Sequence, residues 1–249
     1  MSFNQNTSHS VEKTGTVTLV GFGPGDPDLL TVKALKALQT ADVIFYDDLV
    51  DQDFLQTLDA ELVYVGKRSG RHHAEQEKIN DLLLDAAREG KTVVRLKGGD
   101  PMIFGHAGEE IEYLESHGVH TEVIPGITAA SALAANAKVS LTHRLLSSSV
   151  AYANGHAAQI RVPDADTLVY YMGASHLPRI AQTLIEAGLS PDTAVLLGYN
   201  VTRSDEQFWD TTLEALSDTT VHYPTPLIVM VGRVTELRRK KASEVLGEQ

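Results

Sequence analysis

The chain has 249 residues, 43% of them apolar, with 33 acidic against 21 basic side chains and a formal net charge of -12. That length and apolar content suffice for a buried core, and the absence of cysteine excludes disulfides, thiolate zinc sites and a cysteine nucleophile together. The acidic balance argues against general nucleic-acid binding. No run reaches the ~18 apolar residues of a membrane span, and "MSFNQNTSHSVEKTG" lacks the order of a secretory leader, so the expected location is cytoplasmic.

Residues 1–14 are polar and aperiodic and read as a mobile tail. From Gly15 short β-rich runs alternate with helical patterns. "TVTLVG" is followed by a helix over Leu29–Leu38, "DVIFYD" by a helix around Asp53, "ELVYVG" by a helix over Glu75–Glu89 that Gly90 stops, and "TVVRLKGG" by a helix over Ala107–Ser116. The strand "TEVIPG" and the alanine-rich "ITAASALAANA" complete a first domain, 15–140. A second, 141–241, is read from "DTLVYYMG", a helix over His176–Glu186, "TAVLLGYN", a strand near Phe208 and "TPLIVMVGRV", with a tail over 242–249. The alternation predicts α/β architecture with mostly parallel strands.

Two strand ends carry glycine, aspartate and proline together: "GFGPGDP", Gly21–Pro27, and "KGGDPMIFG", Lys97–Gly105. The first is not a dinucleotide fingerprint, because the third glycine of G-x-G-x-x-G falls on Asp26. Pro24 and Pro27 also remove amide donors, and Asp26 brings negative charge where a pyrophosphate would lie. "EGKT" at 89–92 fails as a P-loop, since its earlier glycine falls on Asp85. Loops at the carboxyl ends of parallel strands line ligand crevices, so the two loops together point to a small-molecule site. A tight strand-to-helix turn, with Asp28 or Thr31 starting the helix, is the plainer alternative for the first.

"VGFGPGDPDLLTVKALKALQTADVIFYDDLV", "VGKRSGRHHAEQEKIN", "GKTVVRLKGGDPMIFGHAGEE", "VIPGITAASALAA" and "LTHR" resemble the S-adenosylmethionine-dependent uroporphyrinogen-III C-methyltransferases of the tetrapyrrole methyltransferase group. The resemblance runs from about Val17 to Arg144 and continues more weakly beyond. It implies two α/β domains with the methyl donor in the cleft between them, a homodimer, and methylation of C2 and C7 of uroporphyrinogen III to precorrin-2, the branch point toward siroheme and cobalamin.

Carried onto this chain, the resemblance implies that Pro24, Gly98, Gly99, Asp100, Ile103, Thr128, Ala129, Met172 and the position of Val201 contact S-adenosylmethionine, with S-adenosylhomocysteine as product. It implies Asp47 as proton acceptor and Lys67 as proton donor. Arg68, Arg71, His72 and Arg144 are expected to meet the carboxylates of the tetrapyrrole, with His73, Arg95, Lys97 and His143 nearby, since guanidinium groups suit bidentate carboxylate binding. Taken singly, each also fits a solvated basic loop. His72 and His73 lack a second ligand set at metal spacing, so no metal is assigned.

The chain departs from the family pattern at "THRLLSSSV", where Leu145 and Leu146 replace polar and aromatic residues, and at "YNVT", where Val201 replaces a cofactor-contacting glycine. These departures keep two alternatives open: a same-fold methyltransferase acting on a later precorrin, and a non-catalytic module that binds tetrapyrrole or the methyl donor.

Overall fold

The computed structural model describes residues 15–66 and 72–238; both expected tails, 1–14 and 242–249, lie outside the described residues. The chain divides into two compact units. One holds the described residues through Phe22 together with Leu30–Gly126, and the other holds Gly23–Leu29 and the chain from Ile127 onward.

The first unit contains β1 (Thr16–Gly23), β2 (Val43–Tyr46), β3 (Glu61–Tyr64), β4 (Val93–Gly98) and β5 (His120–Ile124), in sheet order β3-β2-β4-β1-β5. β1 runs parallel to β5, and β2 runs parallel to both β3 and β4. Parallel neighbours require crossover connections. Helices α1 (Val32–Gln39), α2 (Gln52–Leu55), α3 (His72–Arg88) and α4 (Ala107–Ser116) lie between successive strands and make them.

Strand alternation divides the core between the two faces of the sheet. Val17, Leu19, Val43, Phe45 and Val93 pack with Ile79 and Leu83 of α3 and Leu114 of α4. Val20, Phe22, Ile44, Val94 and Leu96 pack with Ala34 and Leu38 of α1. Both faces are covered, which explains why these strands read as continuous apolar runs. Helix starts follow local chemistry: Thr31 Oγ1 accepts the Ala34 N–H at 3.1 Å, and Asp51 Oδ1 accepts the Phe54 N–H at 2.7 Å. Gly90, at φ +80°, ends α3 as the sequence predicts.

The second unit is organised differently. It contains α5 (Ala129–Asn136), β6 (Val150–Asn154), β7 (Thr167–Tyr171), α6 (Leu177–Glu186), β8 (Ala194–Tyr199), β9 (Gln207–Thr212), α7 (Leu213–Leu216) and β10 (Leu227–Val231). The sheet order is β6-β7-β10-β8-β9. Only β6 and β7 pair parallel; β10 is antiparallel to β7 and β8, and β8 to β9. The expected parallel pattern therefore stops at the first sheet. Residues 200–206 are too few for a helical crossover, so β8 and β9 form an antiparallel pair.

The boundary also moves. The sequence places it at 140, whereas the division falls at Gly126 and Ile127. The reason is α5: Ala130, Ala132 and Leu133 pack against Val169, Leu196, Ile228 and Met230, so the alanine-rich helix covers a face of the second sheet. The other face is covered by α6, whose Leu177, Ile180, Ala181 and Leu184 meet Leu168, Tyr170, Val195 and Val229.

In the first unit, three strand-end segments meet backbone to backbone. A Cβ on Gly21 would lie 2.5 Å from the Gly126 nitrogen and 2.7 Å from the Gly99 oxygen, and a Cβ on Gly126 would lie 2.3 Å from that same oxygen. Gly126→Ala is therefore expected to cost roughly 1–3 kcal/mol, as overpacking does. Calorimetry should find a lowered Tm, and an unchanged melt would mean that the segments can part freely.

Candidate active site

The residues expected to hold the methyl donor fall at strand ends and helix starts of both units. In the first unit, Gly98 and Gly99 close β4. A Cβ on Gly98 would strike the Leu49 side chain at 2.6 Å, so that position is filled from within the protein. Gly99 is different: its φ is +68° and a Cβ there would have nothing within 4 Å. The glycine combines a left-handed backbone with open space, which suits close approach of a ligand to the main chain.

Asp100 shapes this loop as well as facing it. Its Oδ1 accepts the Met102 N–H at 2.8 Å and its Oδ2 accepts the Gly126 N–H at 3.2 Å. Each oxygen retains lone-pair capacity for a further donor. Ile103 is half-buried, with its amide bonded to the Asp100 carbonyl at 3.2 Å. Phe104 and His106 both have positive φ, +54° and +57°. Non-glycine residues in that region store strain, which concentrates at functional sites.

In the second unit, Thr128 precedes α5 but does not cap it through its own side chain. Its hydroxyl bonds to the Tyr171 hydroxyl at 2.5 Å, and that phenol oxygen accepts the Ala130 N–H at 3.3 Å. Tyr171 thus substitutes for the cap and fixes the Thr128–Ala129 step. Met172 follows directly, at φ +57° and 49% exposed, so its side chain lies outside the core. Pro24 is half-buried in the loop after β1. That loop is anchored by the Asp26 N–H, which donates to Thr202 Oγ1 at 3.0 Å, while Asp26 Oδ1 accepts the Asp28 N–H at 2.9 Å.

Val201 lies between two left-handed residues, Asn200 (φ +43°) and Thr202 (φ +75°). Its side chain is 6% exposed and packs with Leu133, Leu196 and Ile228. The valine therefore satisfies the core, and the unusual dihedrals fall on its neighbours.

Asp47 stands just past β2 with its side chain 26% exposed. Oδ1 accepts the Leu49 N–H at 3.2 Å, and Oδ2 lies 3.6 Å from Arg95 Nη2. Asp48 is bonded instead by the Tyr64 hydroxyl at 2.5 Å. Lys67, Arg68 and Arg71 lie outside the described residues, as does the side chain of His72, which opens α3. Arg144 is exposed in the His143–Ser147 bridge, with Leu145 79% exposed beside it.

Two members of the expected basic set do not serve as loop cations. Arg95 and Lys97 are each 4% exposed and point from β4 onto Glu110 of α4, itself fully buried. Lys97 Nζ donates to both Glu110 oxygens at 2.9 and 2.8 Å, and Arg95 Nε reaches Oε1 at 3.3 Å. Gln76 Nε2 adds a bond to Oε1 at 3.1 Å. The sequence reading missed Glu110, yet a signal was present: it shares a helical face with Ala107 and Leu114, both buried, while Arg95 and Lys97 alternate inward with Val93.

Burial lowers the Lys97 pKa to about 8, with the Arg95 charge adding to the effect and Glu110 opposing it. Between about 8 and the ordinary 10.5 the unfolded chain holds this proton more often than the folded one, so the Lys97 contribution to stability rises with pH.

Against known proteins, residues 16–217 match the model for the tetrapyrrole (corrin/porphyrin) methylases. The chain belongs to that family. Among tetrapyrrole methylases and their relatives, it is 47% identical over 243 residues to the siroheme synthase of Pseudomonas fluorescens (strain Pf0-1), covering 92% of this chain and 52% of that one. It thus spans about half the length of the curated relatives it matches. The uroporphyrin-III C-methyl transferase of Thermus thermophilus complexed with S-adenyl homocysteine is 39% identical, at a TM-score of 0.78, covering 90% of this chain and 94% of that one. A cobalt precorrin-4 methyltransferase is 32% identical at 0.75, covering 88% and 95%. This tetrapyrrole methylase has, among its described residues, no group of three or more acidic, histidine or cysteine side chains placed for a metal ion, and no helix long and apolar enough to cross a membrane.

Urea unfolding of the wild type and Lys97→Met across pH 7 to 10.5 tests the buried lysine. The wild type should gain stability relative to the variant as pH rises from about 8; a constant difference would refute the depressed pKa.

Proposed function

We propose that the chain transfers methyl groups from S-adenosylmethionine to C2 and C7 of uroporphyrinogen III, giving precorrin-2. The observation that carries this reading is the likeness to the Thermus thermophilus enzyme along nearly the whole length of both chains, joined to the open, left-handed Gly99 on the loop after β4. S-adenosylmethionine supplies a methyl group on a sulfonium, activated for attack by an electron-rich pyrrole carbon.

The residues of this chain bind and orient. Gly98, Gly99, Asp100, Ile103, Pro24, Thr128, Ala129, Met172 and the backbone at Val201 are proposed to hold the donor, with Tyr171 fixing Thr128. Positioning of two reactants removes much of the entropic barrier. Methylation of the ring carbon must be followed by loss of a proton from the macrocycle, and Asp47 is proposed to accept it. Its carboxylate is partly exposed and held at both oxygens, as a positioned base requires. Lys67 is the proposed proton donor, and Arg68, Arg71, His72 and Arg144 the proposed partners of substrate carboxylates. A cytoplasmic homodimer is the proposed setting.

A second acceptor, a later precorrin, is favoured by the likeness to cobalt precorrin-4 methyltransferase and by exposed Leu145 where the family pattern is polar. The non-catalytic reading loses its motive, since Val201 turns its side chain into the core.

Anaerobic incubation with S-adenosylmethionine and uroporphyrinogen III, followed by mass analysis, is expected to give a product heavier by two methyl groups. Methylation only of a later intermediate would select the second reading, and donor binding without methylation of either would refute both. Asp47→Asn should slow turnover by about 10²-fold or more with S-adenosylhomocysteine affinity retained; full turnover would remove Asp47 from the chemistry.

A further inference from the structure

Asp47, Arg95, Glu110 and Lys97 form one chain of alternating charges in the first unit. Three of the four are buried, and their formal charges, two negative and two positive, cancel. Isolated buried ions are costly, so such a set persists only when each member is bonded. The bonds show an order of dependence. Arg95 Nη1 donates to the carbonyls of Phe45 at 3.3 Å and Leu96 at 2.9 Å, its Nε faces Glu110, and its Nη2 faces Asp47. The guanidinium plane is therefore fixed by β2, β4 and α4 before it meets the one carboxylate that reaches solvent.

Glu110 carries the other load. It is the acceptor for Lys97, Arg95 and Gln76 together, and without its charge two cations would face each other on alternate positions of β4. Arg95 would then be drawn toward Asp47 or away from it, and of the two contacts that orient the Asp47 carboxylate only the Leu49 N–H on Oδ1 would stay in place.

We propose that Glu110, acting through Arg95, is a positioning residue that sets the orientation of the Asp47 carboxylate for methyl transfer. This rests on the proposed role of Asp47 as proton acceptor. Neither Glu110 nor Arg95 is required to touch substrate. The geometry also explains why an arginine stands at 95: a lysine carries charge but lacks the planar fork that spans two carbonyls and two carboxylates at once.

The test is a double-mutant cycle read in kcat and KM separately, using Glu110→Gln, Asp47→Asn and the pair, with Arg95→Lys as a further variant. Glu110→Gln is expected to lower kcat about 10- to 100-fold, the cost of a small misplacement of a reacting group, while KM for S-adenosylmethionine stays within about twofold. In the Asp47→Asn background the same substitution should have little further effect. Arg95→Lys should itself lower kcat to a similar extent although it keeps the charge, and wild-type turnover in that variant would also overturn the proposal. Equal losses from Glu110→Gln in both backgrounds, or a change confined to KM, would overturn the proposal. If Asp47→Asn alone turns over like the wild type, the role of Asp47 falls instead, which separates the two failures. Should Glu110→Gln not fold, Glu110→Gln/Lys97→Met, which removes one charge of each sign, carries the same comparison.

Discussion

Gly21, Gly99 and Gly126 bring three strand-end segments of the first unit into direct backbone contact, and the candidate site in that unit is shaped around this closeness. No side chain can be interposed, since a Cβ at Gly21 or Gly126 would enter neighbouring backbone at 2.3 to 2.7 Å. The contact holds the end of β1, the turn after β4 and the segment after β5 in register. Asp100 reinforces it by accepting the Gly126 N–H. Gly99, alone of the three, has open space where its side chain would be, so a rigid backbone ledge is left facing outward. A loop built this way can meet a nucleoside by main chain and shape, with little reliance on charge.

Charge is concentrated elsewhere. The chain is acidic overall, yet Arg95 and Lys97 lie inside the first unit, balanced by Glu110 and Asp47. Such a set gives little net stability compared with apolar packing. What it supplies is direction: a carboxylate at the end of β2 whose two oxygens are held by an amide and a guanidinium. The second unit uses neutral groups for comparable ends. Tyr171 fixes Thr128 through hydroxyls, and the turn after β8 takes up left-handed dihedrals at Asn200 and Thr202 so that Val201 can remain in the core.

Much of the first unit is legible in sequence because its strands are buried on both faces and its helices are amphipathic. The helix over Ala107–Ser116 is found where its spacing puts it, and Thr31 and Gly90 act as the cap and the stop their chemistry suggests. The second unit is less legible. Val150–Asn154 is a short strand broken by alanine and asparagine and gives no period, while α5 is uniformly small and apolar and does not reveal which sheet it will cover. At the site, glycine and proline mark the loops plainly. The inward turn of Arg95 and Lys97 was hidden, because basic residues beside a glycine loop read as ligands for an acidic substrate until an acidic residue on the facing helix is counted with them. Val201 stands where the family pattern has a cofactor-contacting glycine, and its side chain packs in the core while Asn200 and Thr202 take the left-handed dihedrals.

The most direct measurement is hydrogen–deuterium exchange of the protein with and without S-adenosylhomocysteine, at a concentration where calorimetry shows binding. The predicted result is slowed exchange at residues 98–103 and 128–130, the ledge at Gly99 and the start of α5. Saturable binding that leaves both segments unchanged would contradict the assignment of these loops to the methyl donor.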